Sequence, residues 1–150
     1  MHRISGGCHC GNVSVDVELS AEPSSMAPRA CDCDFCRKHG AAWLSDVNGS
    51  LSIRLADANE VSRYRQGSGQ AQLLLCRNCG VLVSVLFETG AGMRGAVNAT
   101  ALHGAAAFAS PRVVSPQKLS AQDKAKRWQD LWFANVTIVD GASLTQPGAH

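Results

Sequence analysis

Seven cysteines are the residues of this chain best suited to chemistry, and they fall into three short groups. Cys8 and Cys10 lie in "GGCHCG", Cys31, Cys33 and Cys36 in "CDCDFCRKHG", and Cys76 and Cys79 in "CRNCG". Thiols this close together can hold a metal, close a disulfide or act as nucleophiles. The odd count argues against a fully paired disulfide framework. Soft thiolate sulfur selects zinc over magnesium or calcium, so tetrahedral zinc is the natural occupant of such groups. Gly11 and Gly80 directly follow two of the groups. A glycine there lets backbone N–H groups turn toward the sulfurs without a side-chain clash.

Two partitions of the ligands are possible. In the first, Cys8, Cys10, Cys76 and Cys79 close a structural zinc site, and Cys31, Cys33 and Cys36 hold a second zinc with one position free. In the second, Cys33 and Cys36 pair with Cys76 and Cys79 as a zinc ribbon. The second leaves Cys8, Cys10 and Cys31 without a good set, and its central gap is about twice the usual ribbon spacing of roughly 15–20 residues. The first is preferred: four plus three matches a closed structural site and a catalytic site that keeps a position for water or substrate. His39 stands at C-x-x-H from Cys36. As a ligand it would close the trio and remove the open position, but the favoured reading is a histidine at the surface or behind the ligands. His9, between two ligands, is expected to point away from its metal.

The elements that must position these groups are mostly strands. "VSVDVEL" alternates apolar and polar residues as a half-buried strand does, and "SAEPSSMAP" breaks it. Asn48-Gly49 between "WLSDV" and "SLSIRL" predicts a hairpin. "QLLLC" and "VLVSVLF" flank "CRNCG" and place that knuckle at a hairpin turn. Residues 88–95, with three glycines, read as a loop, and "GAVNATAL" as a further short strand. "SAQDKAKRWQDLWF" predicts one helix near the C-terminus, capped by Ser120, with Asp123 three residues on. Ala125, Trp128, Leu131 and Trp132 then share its apolar face, which assigns the tryptophans to core packing. Phe35 and Trp43 flank the trio, as pocket walls or as core. The tail "GASLTQPGAH" reads as frayed.

At 150 residues the chain reads as a single domain, 1–150. A domain of that size buries roughly 70% of the surface its unfolded chain exposes and needs no staples merely to fold. The net charge of +2 is mild. Arg37-Lys38 and Lys124-Lys126-Arg127 read as solvated clusters and not as a nucleic-acid stripe. No apolar run is long enough to span a bilayer, and "MHRISGGC" lacks a signal-peptide apolar region. The expectation is a cytoplasmic protein with reduced thiols.

The succession "GGCHCG", "CDCDFCRKHGAAW" and "CRNCG" resembles the glutathione-dependent formaldehyde-activating enzyme family, also called centromere-protein-V-like. All seven cysteines match in order and in spacing within each group, and "VNATAL" is similar to a segment downstream of the last pair. The resemblance spans about residues 5–102, and residues 103–150 diverge. It implies a mainly β, Mss4-like fold of several coiled β-sheets with zinc knuckles. It implies a structural zinc on Cys8, Cys10, Cys76 and Cys79 and a catalytic zinc on Cys31, Cys33 and Cys36. One departure stands inside the trio: the family often has His where this chain has Asp32.

The reaction implied by the resemblance joins glutathione and formaldehyde as S-hydroxymethylglutathione, a carbon–sulfur lyase or synthase chemistry. The attacking species must be a thiolate, and a free thiol with a pKa near ~8.5 is little ionised at neutral pH. A metal with a free position either deprotonates that thiol or polarises the aldehyde. Three thiolates on a dication leave a negative centre, and glutathione adds carboxylates, so positive groups are expected nearby. Arg37 is the expected carboxylate partner, because its planar fork suits carboxylates. The alternative is a zinc-stabilised binding module without catalysis. A thiol redox role is disfavoured, since the pattern leaves no cysteine spare.

Overall fold

The computed structural model describes residues 1–141; most of the C-terminal tail expected to fray lies outside them. Strands β1 (His2–Gly7), β2 (Val13–Leu19), β3 (Arg29–Cys31), β4 (Trp43–Leu44), β5 (Ser50–Leu55) and β6 (Val61–Tyr64) come first. Then follow β7 (Gln72–Cys76), β8 (Leu82–Thr89), β9 (Gly92–Asn98), β10 (Arg112–Val114) and β11 (Asn135–Asp140). Two helices, α1 (Asp34–His39) and α2 (Ala121–Leu131), complete the main elements. The protein is mainly β, with its principal helix near the C-terminus, as the sequence leads one to expect.

The strands form two sheets, ordered β1-β2-β5-β11 and β10-β3-β4-β9-β8-β7-β6. The alternation of β2 puts Val13, Val15, Val17 and Leu19 wholly inside. They meet Leu51 and Ile53 of β5 and, from the larger sheet, Leu74, Val83, Leu86 and Val97. One apolar core therefore lies between the sheets, each burying a face that water would otherwise contact. On the other side of the larger sheet Leu73, Leu82, Val85 and Ala96 form a second cluster with Trp43 and with Trp128 and Trp132. Strand β8 is buried on both faces, which is why "VLVSVLF" runs apolar instead of alternating. Its pairing with β7 shifts between Leu74 and Leu75. That bulge lets Val83 face one cluster while Leu82 and Val85 face the other.

Three expectations need correction. β4 and β5 are not a hairpin but belong to different sheets. The Asn48-Gly49 turn passes the chain between them, held by the Gly49 N–H donating to the Asp46 carbonyl at 3.0 Å. The loop expected at 88–95 is a tight turn: β8 ends at Thr89 and β9 begins at Gly92, paired in antiparallel register. Leu131 is exposed, so the buried face of α2 rests on Trp128 and Trp132. The hairpin of β7 and β8 around "CRNCG" is as expected. So is the Ser120 cap, whose hydroxyl accepts from the Asp123 N–H at 3.1 Å.

Candidate metal centres and pocket

The turn between β1 and β2 carries Cys8 and Cys10, and the turn between β7 and β8 carries Cys79 just beyond Cys76. The fold brings the two turns together. The Sγ atoms of Cys8 and Cys10 lie 3.7 Å apart, and those of Cys10 and Cys76 lie 3.5 Å apart. All four sulfurs stand within 4.8 Å of one another. Backbone amides are aimed at them: the Val13 N–H donates to Cys8 Sγ at 3.2 Å and the Cys79 N–H to Cys76 Sγ at 3.5 Å. Gly11 and Gly80 adopt φ of 87° and 82°, the left-handed region that these turns require.

The trio is built differently. Cys31 ends β3, Cys33 caps α1 and Cys36 sits inside that helix. The Cys36 N–H donates to Cys33 Sγ at 3.4 Å. The three sulfurs lie within 4.8 Å of one another, and among the described residues no His, Asp or Glu joins their group. His39 is exposed and packs against Phe35 at 4.6 Å. Asp32 turns away to accept from the Ser115 hydroxyl and from the Gln117 amide at 3.0 Å. The two clusters match the first of the two ligand partitions.

Crowded sulfurs share protons unequally. Donation by the Cys36 thiol holds Cys31 down at about 6, and the same bond pushes Cys36 up. Burial raises Cys33. In the four-sulfur cluster burial pushes Cys8 up to about 12 and raises Cys76. The Asn78 side chain lowers Cys10. Burial opposes the ionisation of Cys79, but the amides of Cys10 and Val81 outweigh it and leave Cys79 at about 6. Each cluster thus carries ready thiolate density, and a cation would draw off the remaining protons. Soft donors, close sulfurs and inward-facing amides make both clusters fit for metal ions.

A pocket of about 280 Å³ opens over the trio. Cys31, Cys33 and Cys36 form one wall, and Trp43, Trp128 and Trp132 line its apolar side with Leu73 and Val85. The rings of Trp128 and Trp132 stack at 4.9 Å, and Phe87 meets Trp128 edge-on at 5.1 Å. The tryptophans read as core are therefore core and pocket wall at once. Arg29, Lys124 and Arg127 supply positive charge, and the loop at Gln66–Ser68 forms part of the rim. Burial lowers the Arg29 guanidinium to about 10, with Arg127 and Arg112 adding repulsion. Burial lowers Arg127 too, while nearby Cys31 acts to hold its charge. Arg37, the expected carboxylate partner, is exposed on α1 and does not line this pocket. Phe35 does not line it either; it stacks on Tyr64 at 5.2 Å. Sequence reasoning missed Arg29 because it stands alone before the cysteines, and it read Arg127 as part of a solvated cluster.

The model of the glutathione-dependent formaldehyde-activating enzyme family matches residues 3–123. The chain belongs to that family. The match runs beyond "VNATAL" and takes in the first residues of α2, so the family pattern reaches into the segment whose motifs resemble it least. The chain is also similar to a crystal structure of a Rhodobacter sphaeroides protein, 26% identical, covering 90% of this chain and 99% of that one with a TM-score of 0.49. Membership of the glutathione-dependent formaldehyde-activating enzymes implies glutathione and formaldehyde as the small molecules concerned. No helix among the described residues is long and apolar enough to cross a membrane.

Proposed function

We propose that this protein is a zinc-dependent carbon–sulfur lyase or synthase that forms S-hydroxymethylglutathione from glutathione and formaldehyde in the cytoplasm, acting as one zinc-binding domain. The observation that carries the reading is a trio of thiols that no fourth His, Cys, Asp or Glu among the described residues completes, opening into a pocket. Cys8, Cys10, Cys76 and Cys79 hold a structural zinc; Cys31, Cys33 and Cys36 hold a catalytic one. Zinc–sulfur bonds of about 2.3 Å in a tetrahedron set sulfurs roughly 3.8 Å apart, close to the 3.7 Å and 3.5 Å separations in the first cluster. Bound at the trio, zinc supplies ionisation of an incoming thiol or polarisation of the aldehyde oxygen.

The chain's own residues do the rest. Trp43, Trp128 and Trp132 exclude water from the sulfur-lined wall and strengthen electrostatic interactions there. The pocket is near the lower end of the ~300–1,000 Å³ usual for small-molecule sites, so it orients a tripeptide-sized thiol only in part, with the remainder on the open rim. X-ray absorption at the zinc edge tests the reading. Two zincs per chain are expected, and one should gain a sulfur when glutathione is added. If every zinc already has four protein ligands and the spectrum ignores the thiol, the non-catalytic binding module takes the enzyme's place.

A further inference from the structure

We propose that Arg29 of β3 and Arg127 of α2 form a carboxylate subsite in this pocket, which selects a thiol substrate bearing a carboxylate close to its sulfur. The inference rests on the reading of the pocket as a thiol site and deepens it.

Positive charge is concentrated beside the trio, and Cys31 acts as a counter-charge to Arg127. Parallel pairing of β10 with β3 puts Arg112 directly beside Arg29, and like charges opposite each other in a sheet are destabilising. Arg127 and Lys124 approach from α2. Among the described residues no carboxylate forms an ion pair with any of these four. Asp34, the acidic residue of the lining, faces Lys38 at 3.8 Å. A guanidinium has five N–H donors, yet the partner it has here is neutral: Arg29 Nη2 donates to Ser45 Oγ at 2.6 Å. A half-buried cation without an anionic partner is costly. An anion entering the pocket would relieve both the desolvation and the mutual repulsion.

Position then says which anion. Arg29 and Cys31 lie two residues apart on β3 and so point to the same face. Both side chains line the same pocket of about 280 Å³, so a carboxylate held at Arg29 and a sulfur at the trio are within the reach of one small molecule. Arg29 is also the cross-strand neighbour of Trp43. A ligand with its sulfur at the trio and its carboxylate on Arg29 would lie along the tryptophan wall.

Tryptophan fluorescence of the zinc-loaded protein tests this, because all three tryptophans of the chain line the pocket. Three probes are titrated: glutathione, its diethyl ester (thiol kept, carboxylates masked) and S-methylglutathione (carboxylates kept, thiol masked). Glutathione should bind at least tenfold tighter than the ester. Arg29→Met and, separately, Arg127→Gln should each weaken glutathione and S-methylglutathione roughly tenfold to a hundredfold and barely change the ester. Arg29→Met should melt close to the unaltered protein, since it removes a half-buried charge whose one hydrogen-bond partner is a neutral hydroxyl. A merely structural arginine would instead lower the melting temperature and weaken all three probes alike. Equal binding of glutathione and ester, or no binding of either acidic probe, overturns the subsite. If S-methylglutathione depends on both arginines while added glutathione brings no sulfur to zinc, the subsite stands and the lyase reading falls.

Discussion

Cys36 is the residue through which the trio is held together. Its amide donates to Cys33 and its thiol to Cys31, so an alanine there keeps the amide bond but takes away the third sulfur and the partner of Cys31. Cys36→Ala is expected to lose one zinc per chain and keep the other, with glutathione-dependent formaldehyde consumption abolished. Metal analysis beside circular dichroism checks this. Loss of both metals, or of neither, would mean that the two clusters are not independent sites. His39→Ala is the companion measurement. An exposed ring packed on Phe35 should cost no zinc, and a lost metal would restore the closed Cys₃His reading. Arg37 poses the same kind of question about charge. If Arg37→Ala weakened glutathione as much as Arg29→Met, the carboxylate would sit on the exposed side of α1 and not in the pocket.

Among the elements, the turn from β4 to β5 decides how the chain moves from one sheet to the other. Gly49 is pressed against the first hairpin: a Cβ there would lie 2.2 Å from the Glu18 carbonyl oxygen and 3.1 Å from the Phe133 ring. Asp46 secures the same corner by accepting from the Ser20 N–H and hydroxyl, each at 2.7 Å. Gly49→Ala should therefore destabilise by about 1–3 kcal/mol, the cost of forcing atoms into a packed site, as read from urea unfolding. A change under about 0.5 kcal/mol, the size of an ordinary surface substitution, would show that the corner is loose. The same corner shows what sequence periodicity can resolve. Asn48-Gly49 signals a turn, and a turn is present, but whether its flanks pair with each other depends on distant strands. β11 pairs in parallel with β5, far away in sequence, and no local pattern announces such a partner. The glycines of 88–95 suggested a loop for a related reason. Gly95 is a strand residue whose missing side chain makes room for Leu86 and Leu51, a packing fact and not a local preference. The cysteine groups were legible because ligand spacing is local, whereas the arginines around them were not, since β3, β10 and α2 meet only in the fold.

At the scale of the whole molecule the two clusters differ in where they sit, and different work is expected of them. The four-sulfur cluster joins a turn of the small sheet to a turn of the large one and packs beside the core between them. The trio lies on the far side of the large sheet, with the second apolar cluster and α2. Zinc held by such ligands is worth an apparent ~10–16 kcal/mol in small peptides, as much as or more than the ~5–15 kcal/mol that keeps a domain folded. The first site should therefore govern folding and the second only chemistry. Cys76→Ser, which breaks the link between the sheets, is expected to remove most of the soluble folded protein, while Cys36→Ala leaves it largely intact. Stepwise chelation adds a second measure: the trio's metal, open to the pocket, should leave first with no loss of β-sheet signal, and unfolding should coincide with departure of the other. A Cys76→Ser protein recovered with an unchanged melting temperature would show that the two sheets are held by their shared apolar core alone.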